Sequence, residues 1–96
     1  MKRDAIMLRP EDNVATALRA LEAGSRAVVG IHEDCREVLL AQDIAYGHKF
    51  AVKDIAMGED ILKYGEVIGR STQDIAVGTH AHVHNIESLR GRGDQA

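Results

Sequence analysis

The first apolar pattern along the chain has a helical spacing. Three large apolar residues fall at positions i, i+4 and i+7: Val14, Leu18 and Leu21. This spacing would place them on one side of an α-helix. Asp12 or Asn13 stands where a side-chain oxygen can cap the first turn, and Gly24 follows where helices often end in a left-handed residue. The pattern therefore predicts one α-helix near residues 13–23.

Short aliphatic runs separated by polar turns and glycines make up most of the remaining chain. They predict strands at residues 4–9, 26–31, 37–41, 49–52, 61–64 and 66–68. The polar segment between residues 26–31 and 37–41 predicts a hairpin, with Cys35 as an exposed, unreactive thiol in its turn. Many short strands with sharp changes of direction are typical of a compact, irregular, mostly β unit.

A five-residue pattern, D-I-A-x-G, occurs three times, beginning at Asp43, Asp54 and Asp74. The copies are unevenly spaced, so they do not indicate a solenoid of fixed period. Each copy is too short for a stable helix and ends in glycine, the residue that best tolerates a positive φ. The repeat therefore predicts a recurrent turn with a buried isoleucine, after which the chain enters a new short strand.

Composition and charge narrow the classes of function. The chain has 96 residues, enough for one domain, and only 3% of them are aromatic, so the core must be aliphatic. Twelve Lys and Arg against fifteen Asp and Glu give a net charge of −3, which offers no electrostatic reason to bind nucleic acid or an anionic membrane. No segment approaches the roughly 20 apolar residues that span a bilayer.

A single cysteine excludes an intramolecular disulfide and suits a reducing cytoplasm. Residues 89–96 contain two glycines and two arginines with little to bury, and they predict a flexible tail after a domain of residues 1–88.

Three histidines alternate near the end of this domain: His80, His82 and His84. If residues 80–85 are extended, their side chains share one face at a spacing of roughly 6.5–7 Å. Imidazoles at this spacing can converge in pairs on Fe(II), Mn(II) or Zn(II), with a carboxylate, water or substrate oxygen completing the site. The alternative is a polar, partly exposed strand face without a metal, and the pattern alone favours neither.

Two further tripeptides place cations beside glycine turns. Gly47-His48-Lys49 follows the first repeat, and Lys63-Tyr64-Gly65 follows a predicted strand. Two lysines and several histidines near one rim would suit a small polyhydroxy or carboxylate-bearing ligand. Ordinary surface lysines at strand ends are the alternative.

Taken in order, these motifs resemble the small SAF-type domain of the altronate/galactarate dehydratase family, which includes sugar-acid dehydratases and a related sulfolactate sulfo-lyase. The resemblance covers roughly residues 5–88. The matching motifs are Gly47-His48-Lys49, Lys63-Tyr64-Gly65 with Ile68-Gly69, Gly78, and His82-Val83-His84-Asn85. The resemblance implies a β-clip, a mostly β fold of short strands with one helix.

The resemblance also implies a divalent-metal-dependent lyase that removes water from a hydroxy acid. The family carries most of that chemistry on a much larger catalytic region, either fused to the small domain or separate from it. We therefore expect a small accessory subunit, inactive alone, that caps or completes the active site of a large catalytic subunit. The chain's end at Ala96 leaves no room for that region, which is the basis of this expectation.

The same resemblance assigns residues to the site. His82 and His84, with His80 as a further candidate that departs from the family pattern, are expected to contact Fe(II) or Mn(II). The residues expected to bind the hydroxy-acid substrate are Gly47, His48, Lys49, Lys63, Tyr64 and Asn85. A stand-alone SAF module that binds a small molecule or carbohydrate without catalysis is the alternative. Self-association through exposed strand edges is a further possibility.

Overall fold

The structure, a computed structural model, describes residues 3–88. The predicted flexible tail, residues 89–96, lies outside the described residues. Within them the chain forms these strands: β1 (Ala5–Ile6), β2 (Val14–Ala17), β3 (Arg26–Ile31), β4 (Asp34–Leu39), β5 (Lys49–Ala51), β6 (Asp60–Lys63), β7 (Glu66–Ser71) and β8 (Ile86–Ser88). In this described range no helix is long and apolar enough to cross a membrane.

The strands form two sheets. One has five strands in the order β4-β3-β1-β2-β5, and the other has three in the order β6-β7-β8. β1 pairs with β3 in parallel, and the other neighbouring strands are antiparallel. Asn13 joins the two sheets, because its side chain donates to Asp60 O (2.9 Å) and accepts from Leu62 N (2.8 Å). The arrangement of short strands agrees with a β-clip.

The predicted α-helix near residues 13–23 is wrong, because residues 3–88 contain no helix. Val14 begins β2, which pairs antiparallel with β1 on one side and β5 on the other. Leu18, expected on the buried stripe, is 46% exposed. Leu21 is buried by a different means, an isolated bridge to Ile44. The helical spacing therefore arose from a short strand followed by a turn.

Asp12 also differs from its expected role as a helix cap. It is fully buried, and its carboxylate accepts four backbone N–H groups. The donors lie in two separate turns: Leu8 and Arg9, and Tyr64 and Gly65. These bonds, 2.8–3.1 Å long, satisfy the buried charge and fix the β6–β7 turn to the beginning of the chain.

The predicted hairpin of the first half is confirmed. β3 and β4 pair from Arg26↔Leu39 to Ile31↔Asp34. β4 begins earlier than predicted, so Cys35 lies in the strand rather than in the turn, and it is exposed as expected. β4 is also one of the two outer strands of its sheet, with β5 at the opposite edge. Self-association through a strand edge stays a prediction.

The buried-isoleucine turns predicted from the D-I-A-x-G repeat are confirmed. Ile44, Ile55 and Ile75 are 1–3% exposed. The glycines that end the copies, Gly47, Gly58 and Gly78, have φ values of 81°, 87° and 86°. In each copy the residue after glycine donates its N–H to the alanine carbonyl three positions earlier, at 3.0–3.1 Å. Each copy therefore ends in a turn that requires glycine at its third position.

The second and third copies clamp each other. Ile55 and Ile75 exchange two backbone hydrogen bonds of 2.8 Å. Asp74 accepts from Met57 N and Asp54 accepts from Val77 N, each at 2.9 Å. The aspartate of each copy thus holds the turn of the other copy, which explains why this residue type recurs at the start of the repeat.

Candidate functional site

Four histidines from two parts of the chain stack against one another. The ring centroids of His48 and His82 are 4.1 Å apart, and those of His48 and His80 are 5.0 Å apart. His84 stacks on His80 at 5.0 Å. His48 Nδ1 lies 2.9 Å from His80 Nε2. The result is a single imidazole cluster at one end of β5.

Backbone pairing brings the two segments together. Phe50 and His80 form an isolated antiparallel bridge. Ala81 N donates to Lys49 O (2.9 Å), and Ala51 N donates to Thr79 O (3.0 Å). Phe50 and Ala81 are fully buried, so the core anchors both segments directly behind the histidines.

Residues 80–85 do not adopt the extended conformation that would place three histidines on one face. Residues 82–85 form a turn. Asn85 closes it: its Oδ1 accepts from His82 N and its Nδ2 donates to His80 O, both at 2.9 Å. The Asn85 side chain is only 5% exposed, whereas Val83 at the tip of the turn is 82% exposed. We call residues 80–85 the histidine loop.

Three of the histidines fit a divalent metal. His48, His80 and His82 each offer a ligand atom, and these atoms all lie within 4.8 Å of one another. Two nitrogens that share an octahedral ion at about 2.1 Å stand roughly 3 Å apart, close to the 2.9 Å between His48 and His80. His82 Nδ1 is buried without a hydrogen-bond partner, which is the state of a nitrogen available to bind an ion.

Burial and nearby charges favour the neutral form of His80 and His82. Burial, followed by the charges of its histidine neighbours and Lys49, lowers the pKa of His80. Burial, then Lys49 and the neighbouring histidines, lowers the pKa of His82 as well. Metal ions bind the neutral form of imidazole, so these shifts assist binding.

The group of three differs from the predicted ligand set. Sequence reasoning assigned His82 and His84 to the metal, with His80 as a further candidate, and gave His48 to the substrate. The structure brings His48 into the group and leaves the exposed His84 outside it. A signal for His48 was present, since His48 and His80 each follow a D-I-A-x-G copy almost directly.

A cleft of about 550 Å³ opens beside the cluster. Its polar part is lined by Lys49, Lys63, Glu66, His82 and Ser88. Its apolar wall consists of Val67, Ile68, Val83 and Ile86. Burial and the nearby Lys63 charge lower the pKa of Lys49. No ion pair within 4.0 Å between described residues joins Glu66 to either lysine.

The other predicted substrate residues form the turns around this cleft. Gly47 holds the positive φ that precedes His48. Tyr64, at φ 56°, forms the β6–β7 turn, and its ring centroid lies 5.0 Å from Lys63 Nζ. Asn85 uses both ends of its amide on the histidine loop. Substrate contact by these residues stays a prediction.

Comparisons with known proteins agree on one family. Residues 3–89 match the family described as the altronate/galactarate dehydratase SAF domain. Altronate dehydratase of Escherichia coli (strain K12) is 48% identical over 90 residues, which are 94% of this chain and 17% of that protein. Altronate dehydratase of Bacillus subtilis (strain 168) is 39% identical over 83 residues, or 86% of this chain and 16% of that protein. The chain thus spans about a sixth of these relatives.

A shorter relative is named as a subunit. The (2R)-sulfolactate sulfo-lyase subunit alpha of Chromohalobacter salexigens is 47% identical over 47 residues. The match covers 49% of this chain and 50% of that subunit. Segments of this chain are therefore similar both to part of long dehydratase chains and to part of a shorter lyase subunit.

Proposed function

The chain belongs to the altronate/galactarate dehydratase SAF-domain family, and we propose that it is the small, accessory subunit of a sugar-acid hydro-lyase. In this proposal it completes the active site of a separate large catalytic subunit and is not active alone. The observation that carries the proposal is the group formed by His48, His80 and His82, which no described carboxylate or cysteine joins. Such a group leaves further ligand positions for substrate or for another chain.

The sizes of the relatives support a partner. The domain makes up about a sixth of the altronate dehydratases, so their remaining length is available for a catalytic region. The sulfo-lyase relative is named subunit alpha, which implies at least one further subunit in that enzyme. A small subunit with a separate large subunit would carry the same two regions on two chains. A reducing compartment such as the cytoplasm suits the exposed Cys35 thiol.

The chemistry needs groups of the kind found here. Loss of water from a hydroxy acid requires a base for the proton beside the carboxylate and an acid or metal for the departing hydroxide. A divalent ion, Fe(II) or Mn(II), would supply Lewis acidity when bound. His48, His80 and His82 would hold it through neutral ring nitrogens, and Asn85 keeps the last two in place. In this proposal Gly47, Lys49, Lys63 and Tyr64 shape the substrate side.

Co-expression with a large subunit tests the proposal. We expect dehydration of altronate or galactarate, followed as the 2-keto-3-deoxy product, only when both chains and Fe(II) or Mn(II) are present. His48→Asn should abolish this activity. His32→Asn is the matched control, because His32 lies exposed in the β3–β4 turn. A large subunit that is equally active without this chain would refute the proposal.

A second candidate function is a stand-alone binding module. It is favoured by the cleft, which combines two lysines with apolar side chains beside the histidine cluster. Such a module would bind a sugar acid with the same Kd in the presence and absence of any large subunit. Titration with Mn(II) separates the two candidates further. If the histidines hold no ion, the wild type and a His82→Ala/His84→Ala variant should bind Mn(II) equally weakly.

A further inference from the structure

The two lysines of the cleft indicate the charge of its ligand. We propose that Lys49 and Lys63 form an oxyanion clamp, which holds the carboxylate or sulfonate group of an acid beside the histidine cluster. The identity of that acid as a hydro-lyase substrate rests on the proposed function, whereas binding of the anion by the clamp does not.

Both lysines stand on rigid backbone from different sheets. Lys49 pairs with Thr16 between β2 and β5, and its carbonyl also accepts from Ala81 N. Lys63 ends β6 and pairs with Glu66 of β7 across a turn that Asp12 holds through two backbone N–H groups. The two lysine side chains therefore extend from fixed backbone positions and line the same cleft.

Two ammonium groups that line one cleft repel each other unless an anion lies between them. Glu66 lines the cleft but makes no ion pair within 4.0 Å with either lysine. The Tyr64 ring supports the Lys63 ammonium group without neutralising it. A carboxylate, whose two oxygens only accept hydrogen bonds, can take one from each of two ammonium groups.

The rest of the cleft is partly polar, since Glu66, His82 and Ser88 also line it. Its apolar wall, formed by Val67, Ile68, Val83 and Ile86, offers side chains that cannot hydrogen-bond to hydroxyl groups. This wall lowers the local dielectric constant and so strengthens the attraction between the lysines and an anion. We infer that the clamp recognises the acid group and is indifferent to the stereochemistry of the hydroxyl groups. Discrimination between sugar acids must then come from other groups.

Galactarate and galactitol form a matched pair of probes, because they share a carbon skeleton and differ in their carboxylates. We would titrate the full chain with each, metal-free in the presence of EDTA, and follow backbone amide shifts by NMR. Galactarate should shift signals of β5 and of the β6–β7 turn, whereas galactitol should not. The shifts should weaken as salt is added.

Variants locate the binding. Lys49→Gln and Lys63→Gln should each weaken galactarate binding about ten-fold, the order expected when one charge-assisted contact is lost. Lys53→Gln is the control, because Lys53 is exposed and does not line the cleft. Preserved amide dispersion in each variant would show that the fold is intact. An equal loss in the Lys53 variant would overturn the clamp.

The remaining measurements compare anions from different acids and distinguish the clamp from the hydro-lyase proposal. Glucarate should bind within a few-fold of galactarate, and sulfolactate binding would extend the clamp to sulfonates. Absence of binding by all three acids at tens of millimolar, or equal binding of galactitol, would overturn the clamp. If the clamp holds but no large subunit confers activity, the hydro-lyase proposal fails alone. If activity holds and the clamp does not, only the present inference fails.

Discussion

Replacing Asn85 with alanine is expected to separate the histidine loop from the rest of the site. In the folded chain the Asn85 amide accepts from His82 N and donates to His80 O, both at 2.9 Å. The side chain is 5% exposed, so water cannot readily take its place. Alanine would leave one buried donor and one buried acceptor without partners.

The size of the effect follows from these two bonds. A hydrogen bond of this kind contributes about 1 kcal/mol net, and a buried group left unpaired costs about 1–3 kcal/mol. If the loop stays closed, Asn85→Ala should lower the free energy of unfolding by about 2–4 kcal/mol. If the loop opens to water, the loss shrinks, but His80 and His82 no longer face His48. Affinity for Mn(II) should then fall roughly 10–100-fold, as when groups that orient metal ligands are removed.

Urea unfolding followed by far-UV circular dichroism measures the first quantity, and Mn(II) titration measures the second. Gln42→Ala is the matched control, because Gln42 also accepts a backbone N–H of the loop, from His80 at 2.8 Å, but in an exposed position. We expect it to cost no more than about 1 kcal/mol. An Asn85→Ala variant that keeps both its urea midpoint and its Mn(II) affinity would refute the reasoning.

Three further predictions concern stability. Gly58→Ala should lower the free energy of unfolding by about 1–2 kcal/mol for its positive φ alone. Gly78→Ala should lower it by several kcal/mol more, because the added Cβ would clash with a backbone oxygen of β4. Equal urea midpoints for the two variants would contradict this prediction. Lys49→Met should stabilise the chain by up to about 1 kcal/mol in thermal unfolding, since burial and a neighbouring charge disfavour the charged form of Lys49. A lower melting temperature of this variant would count against repulsion between Lys49 and Lys63. Because the pKa values of His80 and His82 are lowered on folding, the unfolded chain binds protons first as the pH falls below about 6.5. The urea midpoint should therefore decline from that pH downwards, and a His80→Asn/His82→Asn variant should show a flatter decline.

The repeat turns could be predicted because their causes are local. A glycine at the third position of a turn and an isoleucine that packs inward are properties of five consecutive residues. The copies that end at Gly47, Gly58 and Gly78 share the same closing hydrogen bond and a similar φ. The distant contacts between the second and third copies, from Asp54 and Asp74, add to turns whose shape these local residues already favour.

The helix prediction failed because β2 depends on distant pairing. Val14 and Leu21 are both buried, as a helical stripe would require, but they are buried by different partners. Val14 pairs with Ala51 of β5, and Leu21 bridges to Ile44. Both partners lie more than twenty residues away along the chain, whereas Ala15, Ala17 and Ala20 favour a helix locally. Tertiary contacts therefore override the local spacing.

The candidate site depends on both kinds of cause: local turns begin its two segments, and distant pairing brings those segments together. The copy ending at Gly47 directs residues 48–51 into β5, and the copy ending at Gly78 directs residues 79–81 alongside it. Gly78 N then donates to Ala51 O, and further bonds tie residues 49 and 51 to residues 79 and 81. His48 and His80 meet because each immediately follows one of these turns. The repeat is thus the element that assembles the histidine cluster, so a change at Gly78 should weaken metal binding as well as the fold.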